Sequence, residues 1–331
     1  MTLTRPRALA LAFAAVVVAM VLSVAVGSHP LSPGRVWEVW WTPDATQASV
    51  AVHELRWPRT VVGLVAGAAL GLAGALMQTL TRNPLADPGV LGVNAGAALA
   101  VVVASSLTGV TSVGSSLWAA LVGAFLAVGV VHVLGDTGST GGSPARIALA
   151  GVAVTAAVSA IVQTVILADQ EVFNEFRFWA AGSLDGRALG TAGTILPFVV
   201  AGVALAAALA PRLNALALGD DTGRSLGLDV RRTRLLTVVA IALLCAAATA
   251  AVGPIAFVGL GVPHVARALC GSDQRWVLPC SVLLGAAFLL VADVLGRVLG
   301  GTSEVQAGIV TAILGGPVFI AVVRRRRIEA L

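Results

Sequence analysis

Charge-poor stretches long enough to cross a bilayer recur along the whole chain. They fall near residues 8–27, 60–80, 90–109, 115–134, 147–168, 190–210, 234–252, 254–268, 277–299 and 305–323, ten in all. About 20 apolar residues carry a helix through a hydrocarbon core of ~30 Å. In that medium backbone polar groups must be bonded within the protein, so only helices and closed barrels span it. Aromatic residues make up 5% and Tyr is absent, which argues against a barrel with aromatic girdles. Charged residues are only 11%, against about 25% in a soluble domain. The 37 glycines are the small residues that let helices approach closely in lipid. The expected fold is an all-α polytopic membrane protein of about ten transmembrane helices, one domain over 1–331.

The arginines give this count an orientation. The net charge is +5 and the chain has no Lys. With the N-terminus inside, 15 arginines fall on cytoplasmic segments and 6 on the other side, as the positive-inside rule requires. Arg324 to Arg327 then close the last span inside. A basic balance in a soluble domain would suggest nucleic acid; here it flanks spans, and no nucleic-acid partner is expected. Arg5 and Arg7 before the run 8–27, with Ala25-Val26-Gly27 after it, also resemble a signal peptide. The length of the run favours a retained first helix. Both termini are expected in the cytoplasm, with the chain multi-pass in the cytoplasmic membrane.

Enzyme chemistry finds little support. There is no GxxxxGK[ST] loop and no HExxH, and the four histidines are scattered. No metal site is expected. Cys245, Cys270 and Cys280 form no CxxC pair. Asp293, with Arg297 four residues on, is the one acid inside an apolar span. A proton- or sodium-driven transporter would need several such groups, and a membrane-embedded enzyme a cluster of them.

Three segments stand out. One begins at Arg56-Trp57-Pro58-Arg59, enters a Gly-rich span, and leads to the run from Arg82 to Val93, RNPLADPGVLGV. The next is Leu218 to Leu228, LGDDTGRSLGL. The last is Gly253 to Arg267, GPIAFVGLGVPHVAR. With FWAAGSLDG after the fifth span and an Asp in the ninth, these resemble, in order and over nearly the whole chain, the FecCD-type permeases of ABC importers. That family carries iron–siderophores, haem and vitamin B12.

The resemblance implies a type II ABC importer permease: ten helices per subunit, paired with a second permease subunit, either a copy or a relative. It implies two ABC ATPase subunits at the cytoplasmic face and an extracytoplasmic substrate-binding protein. ATP with Mg then belongs to the partner, with no cofactor bound here and no enzymatic activity of the chain's own. Ferric siderophore is the first expectation for cargo, with vitamin B12 or haem as alternatives. An ion-coupled secondary transporter is the more distant one.

Site roles follow by position. The cytoplasmic segment 212–230 matches the family's coupling helix, with Gly219, Asp220, Asp221, Gly223, Arg224, Ser225, Leu226 and Gly227 as its contact set. A plain capped helix with an Asp220–Arg224 pair would look the same from sequence. Arg56, Arg59 and Arg297 match the outer arginines that meet carboxylates of the binding protein, a task suited to the guanidinium fork. Simple anchoring of helix ends is the competing reading. Arg82, Asn83, Pro84, Asp87 and Pro88 form a rigid turn. Gly259, Pro263, His264 and Arg267 mark a helix broken at Pro263, and both groups are expected to be structural. Ser143 and Pro144, at the start of the fifth span, are nominated as a cytoplasmic gate.

Overall fold

The computed structural model describes residues 4–28, 30–108, 113–136, 144–300 and 303–324. The chain folds as α1 (Arg5–Ala25), α2 (Pro33–Trp41), α3 (Gln47–Val50), α4 (Trp57–Thr81), α5 (Val93–Thr108), α6 (Val113–Asp136) and α7 (Pro144–Ala168). It continues as α8 (Gln170–Ala180), α9 (Leu189–Ala217), α10 (Asp220–Ser225), α11 (Val230–Val252), α12 (Val258–Cys270), α13 (Gln274–Leu299) and α14 (Ala307–Arg324). A π-helical turn, Ala51–Arg56, joins α3 to α4, and a 3-10 turn, Pro88–Leu91, precedes α5. Among the described residues, seven helical runs are long and apolar enough to cross a membrane; shorter apolar helices at Val93–Leu107, Val258–Cys270 and Ala307–Pro317 bring the total to ten.

The buried centre is α4. It packs on α13, α11, α9 and α12, and its residues are buried almost without interruption from Pro58 to Leu80. Glycine makes this possible. A Cβ added at Gly67 would lie 2.5 Å from the Gly285 carbonyl oxygen, at Gly71 2.3 Å from that of Ser281, and at Gly74 2.0 Å from that of Gly259. Hence α4 meets α13 and α12 backbone to backbone, where only glycine fits. Gly96 and Gly123 join α5 to α6 in the same way. By contrast α7 leaves most of its surface uncovered, with Leu149, Val152, Ile161 and Leu167 exposed.

Ion pairs tie the helix ends together. Arg5 on α1 lies 3.6 Å from Asp273, the N-cap of α13. At the far ends of the same helices Arg297 bonds to Ser23. So α1 and α13 run parallel, and α4 runs opposite to both, since its start meets the end of α1. One end of the bundle therefore gathers the ends of α1 and α13 with the start of α4. The other gathers the starts of α1, α11 and α13 with the ends of α4 and α9.

Several sequence expectations change. The break expected at Pro263 lies earlier: α12 runs through Pro263, and the chain is irregular from Gly253 to Phe257. Pro263, the sixth residue of α12, lacks the N–H that would bond the Gly259 carbonyl; that carbonyl accepts from Gln78 Nε2 at 3.3 Å instead. Phe257 takes the left-handed region, φ 68°, to start α12. The sixth span is longer than expected, so α9 absorbs residues 212–217 and the free segment shrinks to 218–229. The polar stretch 28–59 is largely helical, and α8 is a helix that the sequence did not suggest. Ser143 and Arg325–Arg327 lie outside the described residues; Pro144 opens α7.

Overpacking of this kind costs about 1–3 kcal/mol. Gly74→Ala should lower the thermal midpoint of the detergent-solubilised protein. Gly129→Ala, on the exposed face of α6 with nothing within 4 Å, should not.

Candidate functional site

At the α1-end cluster one carboxylate serves two guanidiniums. Asp293 on α13 is 1% exposed. It accepts from Arg59 Nε at 3.1 and 3.0 Å and from Arg59 Nη2 at 2.7 Å. It also accepts from Arg297 Nε at 3.0 Å and from Arg297 Nη2. The i,i+4 spacing on α13 sets the Arg297 contact; the Arg59 contact crosses to α4. The remaining Arg59 nitrogen, Nη1, donates to Glu304 at 2.5 Å and to Asp185 at 3.3 Å.

Arg297, together with Arg56, satisfies the end of α1, whose last carbonyls have no helical partner. Arg56 Nη1 donates to the carbonyls of Val24 at 3.1 Å and Ala25 at 2.8 Å. Arg297 Nη1 donates to Ser23 O at 2.7 Å and Val26 O at 3.1 Å. Cationic groups at a helix C-terminus also favour its dipole. The Ser23 and Thr60 hydroxyls meet at 2.7 Å, and Thr60 donates to Arg56 O.

The three arginines therefore do not stand out as a free surface set. Arg56, Arg59 and Arg297 are 6%, 7% and 2% exposed. Arg297 is the clearest departure: its three nitrogens all have partners on Asp293 and α1, so it holds α1 to α13. A cavity of about 520 Å³ opens beside all three arginines, and its wall also carries Glu54, Asp185, Arg187 and Glu304. Arg187 was not singled out in the sequence, although it follows directly on SLDG. Its Nε donates to Ser183 O at 3.5 Å. Burial pushes its guanidinium pKa down, and Asp185 offsets part of that.

The opposite end is built around α10. Asp220 accepts from Arg82 at 3.1 Å and from Arg234 at 2.9 and 2.7 Å. It thus pins α10 to the end of α4 and the start of α11. The Asp220–Arg224 pair of the competing capped-helix reading does not form; Arg224 bonds to the fully exposed Asp221 at 3.1 Å. Arg82 caps α4 in the left-handed region, φ 50°, so the RNPLADP turn and α10 form one surface. Gly219 and Gly227 have positive φ on either side of α10, and Gly223, within it, is buried. Leu218 and Leu226 flank it, both exposed, while Ser225 Oγ donates to Asp221 O.

Beneath this surface the two remaining motifs interlock. His264 Nε2 lies 2.9 Å from Pro84 O. Gln78 donates to the carbonyls of Gly259 and Leu260 at 3.3 and 3.1 Å and accepts from Arg267. Asn83 Oδ1 takes the Leu85 amide, and Asp87 caps the turn at Pro88 through the Gly89 amide at 2.8 Å. Burial pushes the Asp87 carboxyl pKa up, against the pull of that amide. Among the described residues no group of three or more His, Cys, Asp or Glu could hold a metal.

Removing one partner of a buried ion pair costs about 3–5 kcal/mol, because the other charge stays buried. Asp293→Asn should therefore lower folded yield and thermal midpoint sharply. Asp293→Asn with Arg297→Gln should recover part of the loss, read as a double-mutant cycle of unfolding midpoints.

Residues 15–325 match the model of the FecCD transport family. The chain is 46% identical over 311 residues to the ferric enterobactin transport system permease protein FepD of Escherichia coli, covering 94% of this chain and 92% of that protein. It is 39% identical to the Fe(3+)-citrate import system permease protein YfmD of Bacillus subtilis, covering 92% and 91%. A solved metal-chelate-type ABC transporter in an inward-facing conformation superposes with a TM-score of 0.85 at 26% identity, over 97% of this chain and 99% of that one. Matched over nearly its whole length in sequence and in fold, the chain belongs to the FecCD transport family, the permease subunits of ABC importers for iron chelates, haem or vitamin B12.

Proposed function

We propose that this chain is the permease subunit of a ferric siderophore importer. It forms one transmembrane domain that pairs with a second permease subunit. The observation that carries the cargo is its 46% identity, over almost all of both chains, to a permease named for ferric enterobactin. Vitamin B12 and haem are the competing cargoes within the family.

In this reading the α10 end faces the cytoplasm, with both termini, and the Asp293 end faces outward. The arginine asymmetry supports that orientation. A substrate-binding protein docks at the outer cavity, where Arg59 and Arg187 receive acidic side chains. Arg297 acts from behind by fixing Asp293. ATPase subunits, holding ATP and Mg, engage the 218–229 segment. The rigid pinning of Asp220 supports this role: a push on α10 passes into α4 and α11 through Arg82 and Arg234. Exposed Leu218, Asp221, Arg224 and Leu226 supply the contact surface. Pro144 remains the nominated position for the inner gate, at the start of the weakly covered α7, with Ser143 beside it in sequence. Transport follows from population shift: ATP must bind the two permease states with different affinity.

Proteoliposomes containing the permease, its ATPase and its binding protein should take up radiolabelled ferric catecholate with ATP and without an ion gradient. Uptake of cobalamin or haem in its place would move the cargo, and dependence on an ion gradient would overturn the importer reading. Leu226→Ser together with Arg224→Ala should weaken ATPase binding about tenfold, as truncating an interface anchor does, with no change in unfolding midpoint.

A further inference from the structure

The Arg59 guanidinium divides its donors unequally. Nε and Nη2 are committed to Asp293, which is buried and which Arg297 also holds. Only Nη1 bonds to residues of the cavity wall, and its partners are two carboxylates of the chain's own. Asp185 is a loose partner, at 3.3 Å with a side chain 73% exposed. Glu304 is the tight one, at 2.5 Å with a side chain 24% exposed. The one position where an acidic side chain of another protein could grip Arg59 is therefore already filled by a carboxylate from the segment leading into α14.

That segment is not an isolated loop. Val305 N donates to Gly296 O on α13 at 3.1 Å, and Gly308 N, in the first turn of α14, donates to Gly182 O at 2.9 Å. A Cβ at Gly308 would lie 2.3 Å from the Ala181 carbonyl oxygen. Further along α14, one at Gly315 would lie 2.4 Å from the Phe257 side chain, whose backbone holds the left-handed turn that starts α12. Glu304 is thus the charged end of a packed path from the outer cavity through α14 to α12. The Glu54 carboxylate on the same cavity wall carries the same charge and is exposed.

We propose that Glu304 is an internal stand-in for the carboxylate of the docking protein: it holds Arg59 Nη1 in the undocked permease, and the incoming acid displaces it and releases the head of α14. This rests on the docking reading above. An exchange of one carboxylate for another leaves the cluster's charge balance intact, so Arg59 is not left as an uncompensated buried cation during docking. It also makes docking reciprocal with the position of α14. Whatever moves α14 away from Arg59 strengthens the binding protein's hold, by the same factor that docking favours that movement.

The test compares Glu304→Gln with Glu54→Gln in the full permease–ATPase complex in nanodiscs. Affinity for the purified, substrate-free binding protein is measured at two salt concentrations. Arg187→Gln serves as the docking control, and unfolding midpoints confirm that each variant is folded. Both glutamate variants remove one negative charge from the cavity, but only Glu304→Gln loosens the resident partner of Arg59. The expected result is about fivefold tighter binding for Glu304→Gln, the size of one modest ion pair, with a clearly smaller change for Glu54→Gln. Equal changes in the two variants, or weaker binding for Glu304→Gln, would overturn the stand-in role while leaving docking intact. Unchanged binding for Arg187→Gln at both salt concentrations would remove the docking reading, and the stand-in with it.

Discussion

Everything at one end of this bundle depends on a single buried carboxylate shared by two guanidiniums. Asp293 receives hydrogen bonds from Arg59 and Arg297 while almost wholly removed from solvent. Such a group is costly to bury and strongly destabilising to disrupt. Its placement explains why α1, α4 and α13 end at one level. Arg297 reaches back from Asp293 to the open carbonyls of α1, and Arg59 reaches out from it toward the cavity. Holding the helix ends and presenting a cation to a partner are two uses of one charge network.

The middle of the bundle works by the opposite means. Lipid offers no hydrophobic drive for one apolar helix to leave it for another, so contact must come from close packing. The glycines along α4 supply that, bringing its backbone against Ser281, Gly285 and Gly259. Polar side chains then fix the turns of the motifs. Gln78 ties α4 to the first turn of α12, and His264 ties α12 to the RNPLADP turn. The opposite end of the molecule is thereby a braced platform, with α10 resting on it through Asp220.

Much of this was legible in the sequence because hydropathy and charge act locally. The ten apolar helices lie close to the ten charge-poor stretches, and the motifs in their order indicated the family. What escaped depends on partners distant in sequence. The i,i+4 rule links Asp293 to Arg297, but nothing local links it to Arg59, 234 residues away. The same rule suggested Asp220 with Arg224; Asp220 instead turns inward to two arginines, since a carboxylate between helix ends gains more there than on an exposed turn. Pro263 suggested a break, but the Gly259 carbonyl that it leaves without a helical donor accepts from Gln78, 181 residues away. Arg187 gave no signal beyond its place after SLDG, because its meaning lies in the cavity it helps to line.

The capping of α1 also bears on how the chain is made. Synthesis delivers α1 to the membrane before α4 and α13, with the carbonyls of Ser23 to Val26 at its trailing edge. Arg56 arrives about 30 residues later and covers Val24 and Ala25. Ser23 and Val26 wait for Arg297, 274 and 271 residues downstream. Until then that end of the first helix must borrow its hydrogen bonds from water or lipid headgroups. The α1 helix is thus seated for good only once α13 has left the ribosome, and a chain truncated before α13 carries an unfinished edge at the end of α1.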